Sequence, residues 1–393
     1  GYMFETALEA GLIAAGVDPV MLGPMPTPAT AYLTRTFSAA GGIVISASHN
    51  SYEDNGIKFF DENGMKLPDQ VEHDIESLLD QPFTTVNGPL LGRVSRADDA
   101  ADRYIEFCKN TLRLGKDLSG LKIAIDCANG AAYQVGPQVL RELGAEVEAI
   151  GVTPDGLNIN EGVGSTAPNA LIDAVVSSRA HLGIALDGDA DRVVLVDEQG
   201  NLVDGDEILY IIATCRHQRG QMEGGVVGTI MTNMGLERGL AAMEIPLVRT
   251  KVGDRYVIEA MKQNEWTLGG ETSGHIICSD LISTGDGLIA ALQVVKALRI
   301  SGQTLSEARH GMNKFPQFLI NIPRALPDHL HHPIVVEAVK AVETSLGDSG
   351  RVLIRPSGTE PVVRVMVEGI EAKQVKASAE RIASSVEKAA SIS

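Results

Sequence analysis

The chain has 393 residues, enough for roughly two to four domains. With 44% hydrophobic residues and a mean hydropathy of +0.05 it can bury full cores, which excludes a disordered polymer. A formal net charge of −18 argues against nucleic acid and anionic membrane as partners, and obliges any anionic substrate to find a local basic pocket. No uncharged apolar run reaches the ~18 residues of a membrane span, and no secretory signal is read. Cys108, Cys127, Cys215 and Cys278 show no paired spacing, so reduced thiols in the cytoplasm are expected.

The chain opens Gly1-Tyr2-Met3-Phe4-Glu5 and runs directly into the helical pattern of residues 7–12, without an initiator Met or a leading strand. The expectation is a natural N-terminus upstream of Gly1. From there one scheme repeats: helix, Gly, short strand, Gly or Pro loop. Its copies end in Val20-Met21-Leu22-Gly23-Pro24, in residues 147–150 followed by Gly151, and in Pro246-Leu247-Val248 with Gly253 shortly after. Each copy is followed by a strand–loop–strand unit: residues 42–46 with 57–60, 182–186 with 193–196, and 266–268 with 275–278. Strands and helices alternating at this spacing predict three related α/β domains with mixed, largely parallel sheets. Beyond Pro316, a shorter segment with strands at 352–354 and 362–367 predicts a smaller C-terminal α+β domain. The expected divisions are 1–98, 99–202, 203–315 and 316–393.

The loops at equivalent places in the repeats are the polar segments 47–51, 187–192 and 270–275, each projecting from an apolar strand end. In the second, Asp187, Asp189 and Asp191 stand two apart on a tight turn between buried strands. Their mutual repulsion is expensive without a cation, and oxygen ligands with no Cys or His beside them favour Mg2+ over Zn2+. A solvated acidic turn is the plain alternative. An EF-hand loop is excluded, because Arg192 occupies the position that needs Gly and the flanks are strands. In the first loop, Ser48 lies beside His49 and Asn50 with Lys58 downstream; it is a loop cap unless a base or metal activates it. Glu271, Ser273 and His275 offer polar groups to neighbouring hydroxyls, while Asp254 reads as a helix N-cap. Arg355-Pro356-Ser357-Gly358-Thr359, with Arg364 able to add a second guanidinium, has the chemistry of a phosphate cradle.

Taken together, these loops resemble those of the α-D-phosphohexomutase family: 46–50 its phosphoserine loop, 187–192 its metal loop, 270–275 its sugar loop and 355–361 its phosphate loop. The resemblance runs over essentially the whole chain and implies four domains around a central cleft. It further implies a 1,6 phosphoryl shift with one Mg2+ per chain and a sugar 1,6-bisphosphate as primer. Ser48 would carry the phosphoryl group, and Asp187, Asp189 and Asp191 would hold Mg2+ together with the phosphoserine oxygen. Arg192 would steady the transferring group, with His49 and Lys58 as proton handlers. Glu271, Ser273 and His275 would contact the sugar, while Arg355, Ser357, Gly358, Thr359 and Arg364 hold the other phosphate.

Residues 23–36 and 252–257 further resemble the glucosamine branch of that family, which implies interconversion of glucosamine 6-phosphate and glucosamine 1-phosphate, feeding UDP-N-acetylglucosamine synthesis. A phosphomannomutase/phosphoglucomutase, a phosphatase and a non-catalytic phosphosugar-binding remnant stay open as alternatives. The expected partners are a small phosphosugar and a second copy of the chain in a homodimer. Against the family pattern, Ser51 stands where Pro is usual and Ala190 where Gly is usual, and a strand and Arg-containing segments expected upstream of Gly1 are not in the sequence. A positive φ at Ala190 would be strained.

Overall fold

Short β-branched and apolar runs punctuated by Gly and Pro become strands, and the longer periodic stretches between them become helices, in a computed structural model described over residues 1–112, 117–323, 325–356 and 362–392. In chain order, α1 (Tyr2–Ala14), β1 (Val20–Met21), α2 (Thr27–Thr36), the hairpin β2 (Gly41–Ser46) and β3 (Gly56–Asp61), α3 (Asp69–Ser77) and β4 (Ser95–Arg96) make the first region. Next come α4 (Ala100–Leu112), β5 (Lys122–Asp126), α5 (Val135–Glu142), β6 (Glu146–Ile150), α6 (Asn169–Ser178), β7 (Leu182–Leu186), β8 (Val193–Asp197) and β9 (Leu202–Val203). A third region holds α7 (Gly205–Gln218), β10 (Val226–Thr229), α8 (Met234–Ala241), β11 (Leu247–Thr250), α9 (Asp254–Asn264), β12 (Leu268–Gly270), β13 (Ile276–Cys278), α10 (Gly287–Ser301) and α11 (Leu305–Ala308).

The repeat read in the sequence is visible in the sheets. Strand orders are β6-β5-β7-β8-β9 and β11-β10-β12-β13. In both, the first three strands are parallel and the fourth turns back antiparallel (β7–β8, β12–β13), so each returning loop projects from the end of a buried strand. Every residue of β7 is buried, as a strand covered on both faces requires, and Leu171 and Val175 of α6 pack against its sheet. Long α10 is buried over most of its length and starts on Asp286, which accepts from the Ile289 N–H. A capping box between Asp204 and Glu207 starts α7.

The first copy departs from the expected sheet. Its hairpin β2–β3 forms as in the other copies, and α2 covers it through Ala31, Val44 and Phe60. β1, however, pairs with β4 in a separate two-stranded sheet. Pro24 and Pro26 end β1 after two residues, since neither can donate to a ladder. Val20, Leu22, Ile43 and Ile45 line a cavity of about 1230 Å³ beside these short sheets.

The chain divides into two compact units, Gly1–Thr229 with Leu247–His310, and Ile230–Pro246 with Gly311–Ser393. The second unit is an antiparallel sheet β14-β16-β15 (Gln317–Pro323, Val362–Gly369, Gly350–Pro356), packed by α12 (Pro333–Leu346) and α13 (Ala372–Ile392) over a core that includes Val363, Val365, Val367, Val375 and Ile382. α8 belongs to this unit. The buried Glu368 accepts from the Met234 N–H (2.7 Å), and the Arg351 guanidinium donates to Glu368 and to the carbonyls of Ile230 and Thr232.

Candidate active site

Two strand-end loops of the first unit meet. Ser48 follows β2 with φ +50°, and its N–H donates to the Ser46 hydroxyl (2.8 Å). The Ser48 hydroxyl donates to Asp187 Oδ2 at 3.4 Å, and His49 Nδ1 lies 3.5 Å from the same Oγ. The structure thus brings a strand-end serine from one repeat to the acidic loop of another, 139 residues away. Gly188 makes the approach feasible, because a Cβ there would lie 2.5 Å from the Ser48 carbonyl oxygen.

Asp187, Asp189 and Asp191 are all buried, and one oxygen from each falls within 4.8 Å of the others. Burial, then the negative charges of Asp191 and Asp189, push the Asp187 carboxyl well above the ordinary range. Burial also disfavours the Asp191 charge, but the proximity of His275, with Lys58 and Arg192, outweighs it and holds Asp191 well below. Lys58 Nζ donates to Asp189 Oδ2 (2.6 Å) and Asp191 Oδ2 (3.1 Å). Burial alone would lower the Lys58 pKa, yet Asp191 and Asp189 raise it. His49 is pushed below its usual value, first by burial and then by Arg192.

These residues fit a hard divalent cation. Asp189 Oδ1 and Asp191 Oδ1 are buried without hydrogen-bond partners, beside an all-oxygen donor set. Two supports of this cluster were not read in the sequence. Thr27 donates its hydroxyl to Asp189 Oδ2 (2.5 Å), and the Asn160 amide donates to the carbonyls of Ser48 (2.9 Å) and Asn50 (2.7 Å). Arg192 donates its N–H to Asp187 Oδ1 (3.1 Å), and its guanidinium Nε lies 3.9 Å from Asp191 Oδ1.

The loop after β12 closes another side. Glu271 is buried, with Oε1 accepting from the Gly253 N–H (2.9 Å), while Ser273 is exposed. His275, expected among the sugar contacts, is only 3% exposed; its Nδ1 lies 3.8 Å from Asp191 Oδ1 and its Nε2 3.5 Å from Asp254 Oδ2. Asp254 is not the helix cap expected. Gly253 holds that position without a side-chain bond; Asp254 is the first helical residue, its Oδ1 accepting from the Arg255 N–H (2.8 Å) and its Oδ2 from the Lys66 ammonium.

In the second unit, Arg355 and Arg364 face each other across β15 and β16. Burial, then Arg364, lowers the Arg355 pKa. Two guanidinium groups directly opposite on neighbouring strands suit an anion such as phosphate. Ser357, Gly358 and Thr359 lie outside the described residues.

A repeated α/β fold whose returning loops bring a serine, three carboxylates and a lysine together defines an enzyme of the phosphosugar mutase class, an isomerase. The chain belongs to the phosphoglucomutase/phosphomannomutase family: residues 1–84 match its alpha/beta/alpha domain I, 102–200 domain II, 204–315 domain III and 319–385 the C-terminal domain. It is 57% identical over 385 residues to the phosphoglucosamine mutase of Pseudomonas entomophila, covering 98% of this chain and 86% of that one. To the phosphoglucosamine mutase of Ectopseudomonas mendocina it is 59% identical over 384 residues, with the same coverage. Among solved structures, a phosphoglucomutase/phosphomannomutase family protein of Burkholderia thailandensis shares the fold with a TM-score of 0.78 at 22% identity, over 99% of this chain and 87% of that one. The N-acetylphosphoglucosamine mutase of Aspergillus fumigatus, solved with GlcNAc-6P and magnesium, shares it at 0.73 and 18% identity, over 98% and 99%.

Proposed function

We propose that the chain interconverts glucosamine 6-phosphate and glucosamine 1-phosphate, with Ser48 as the phosphoryl carrier. The observation that supports this most directly is the Ser48 hydroxyl 3.4 Å from Asp187 within the aspartate trio. The near-full-length likeness to phosphoglucosamine mutases supports glucosamine as the sugar.

In the forward direction the C1 hydroxyl of glucosamine 6-phosphate attacks phosphorus on phosphorylated Ser48. The bond from phosphorus to Ser48 Oγ breaks, and the hydroxyl proton leaves to a base. His49, whose Nδ1 lies 3.5 Å from Ser48 Oγ, is placed to accept it. The product of this half is the 1,6-bisphosphate. After it turns over, Ser48 Oγ attacks the C6 phosphate; the bond from phosphorus to the C6 oxygen breaks, that oxygen takes the proton held by the base, and glucosamine 1-phosphate is left with Ser48 phosphorylated again. Asp187, Asp189 and Asp191, with an oxygen of phosphorylated Ser48, would hold magnesium, which would supply positive charge beside the transferring group. Arg192 steadies that group, while Lys58 holds Asp189 and Asp191 in place. Glu271 and Ser273 contact the sugar, and the burial of His275 beside Asp191 favours a role in holding that carboxylate. Arg355 and Arg364, with Ser357, Gly358 and Thr359, bind the phosphate that is not reacting. A sugar 1,6-bisphosphate primes the enzyme, the working form is a cytoplasmic homodimer, and the domains divide near residues 98, 202 and 315. Among the described residues no helix is long and apolar enough to cross a membrane.

The test is the intact mass of the chain after incubation with magnesium and glucose 1,6-bisphosphate, beside Ser48→Ala. Gain of one phosphoryl group in the parent only, followed by faster turnover of glucosamine 6-phosphate than of mannose or glucose 6-phosphate, is expected. Equal labelling of Ser48→Ala would refute the assignment of the carrier, and faster turnover of a hexose would refute the sugar.

A further inference from the structure

Asn160 belongs to none of the four motif loops, yet its side chain bonds the backbone of the carrier serine directly. Its amide nitrogen donates both hydrogens, one to the Ser48 carbonyl (2.9 Å) and one to the Asn50 carbonyl (2.7 Å). Both neighbours accept, so only the nitrogen can face them and the orientation of the amide is fixed by chemistry. The other end, Oδ1, is buried without a hydrogen-bond partner. Leaving a buried acceptor unmatched is costly, so the side chain is committed to the serine loop at the expense of its own oxygen.

The mount behind Asn160 is rigid. Its backbone is left-handed (φ +59°), which Asn tolerates, and its N–H donates to the Ala128 carbonyl (2.9 Å). Ala128 is left-handed too (φ +56°) and is fixed by the buried carboxylate of Asp126, which accepts from the Ala128 N–H (2.9 Å) and the Gly164 N–H (2.7 Å). The segment carrying Asn160 is therefore tied to the end of β5. On the other side, the Gly188 backbone closes on the same Ser48 carbonyl.

Ser48 needs such a hold. A non-glycine residue in the left-handed region is strained and persists only where its surroundings over-determine it. The side-chain contacts of Ser48 are long, at 3.4 and 3.5 Å, and the bond from its N–H to the Ser46 hydroxyl (2.8 Å) holds only the amino side of the residue, leaving its carbonyl to Asn160. We propose that Asn160 is a positioning residue for phosphoryl transfer: it clasps the Ser48 and Asn50 carbonyls, sets the left-handed turn, and aims Oγ at the aspartate trio. The proposal rests on Ser48 being the carrier.

Two variants separate the clasp from the scaffold. Asn160→Gly deletes the amide while keeping a residue at ease with positive φ, and Asn160→Asp keeps the shape but turns a carboxylate toward two carbonyls. In the full chain, the rate at which Ser48 takes a phosphoryl group from glucose 1,6-bisphosphate, read by intact mass, should fall about 10- to 100-fold in both. kcat should fall with it, KM for glucosamine 6-phosphate should stay within about twofold, and backbone amides of residues 47–50 should exchange hydrogen faster while the melting temperature barely moves. Uptake within about threefold of the parent, or losses that simply track loss of folded protein, would overturn the proposal. If the parent itself takes up no phosphoryl group, the carrier reading fails, and exchange at 47–50 then decides the clasp alone: unchanged protection in both variants rules it out.

Discussion

Lys58 Nζ lies 2.6 Å from Asp189 Oδ2, so the ammonium of one repeat neutralises the acidic loop of another. It also reaches Asp191 at 3.1 Å, and it stands where a divalent cation would do the same work. Lys58→Met should therefore cost about 2–3 kcal/mol in chelator, short of the loss for a fully buried pair because Lys58 is 23% exposed. Excess magnesium should return most of that stability, since a ligand bound only to the folded state raises it by mass action. Thermal melts with chelator and with magnesium check this. The magnesium-induced rise should be larger in Lys58→Met than in the parent, and equal rises would show that ammonium and cation do not share the carboxylates.

Thr27 supports the same carboxylate from a helix start. Its hydroxyl donates to Asp189 Oδ2 and its N–H to the Asp189 carbonyl (3.0 Å). Thr27→Val removes only the first bond, at an expected cost of about 1.5–3 kcal/mol because the acceptor is charged and buried. Loss of an outer support of a metal ligand also lowers metal affinity, here by about tenfold. Denaturant unfolding and a magnesium titration measure the two effects, and Thr27→Ser should restore both.

What the sequence disclosed follows from the range of each interaction. Asp187, Asp189 and Asp191 were legible because their spacing on a turn between apolar strands is itself the site. The repeated sheets were legible because period and punctuation are local. Thr27 and Asn160 were not, since they act across 162 and 112 residues and carry no pattern of their own. Asp254 obeys the local rule for a cap, yet its carboxylate answers to Lys66, 188 residues away. His275 sits in the sugar loop by order, but burial turns it toward Asp191. Helix α8 lies between two strands of the first compact unit in sequence and belongs to the second in space.

Ala190 takes the conformation that the sequence marks as costly, φ +59°, and is fully buried. A left-handed L-residue costs about 1–2 kcal/mol. Glycine would relieve that cost but lose about 0.8 kcal/mol of methyl burial and about 0.4–1 kcal/mol through greater freedom of the unfolded chain. The opposing contributions nearly cancel, so Ala190→Gly should lie within about 0.5 kcal/mol of the parent in urea unfolding. Ala190→Val has no such balance: a β-branched side chain at positive φ in a closed site should cost more than about 2 kcal/mol.

Asp286 caps α10 from a fully buried position, accepting from the Ile289 N–H (2.9 Å) and the Tyr104 hydroxyl (2.8 Å). Burial is the main cause that lifts its carboxyl to about 6, against hydrogen bonds from Ile289, Tyr104 and Leu288, with Asp191 adding a weaker push upward. Cys108 and Cys278 are the buried thiols that share its field. From the unfolded value near 4 up to about 6, the folded protein retains a proton that the unfolded chain has released. The contribution of this group to stability is therefore complete below about pH 4, falls through that window, and is lost above it. Asp286→Asn keeps an oxygen for the cap and does not titrate. Its stability relative to the parent should rise by about 2.4 kcal/mol between pH 4 and pH 7, most of the equivalent of the displaced pKa. Paired denaturant curves across this range measure that difference, with the titrations common to both proteins cancelling. A difference that stays flat with pH would mean that Asp286 ionises normally where it is buried.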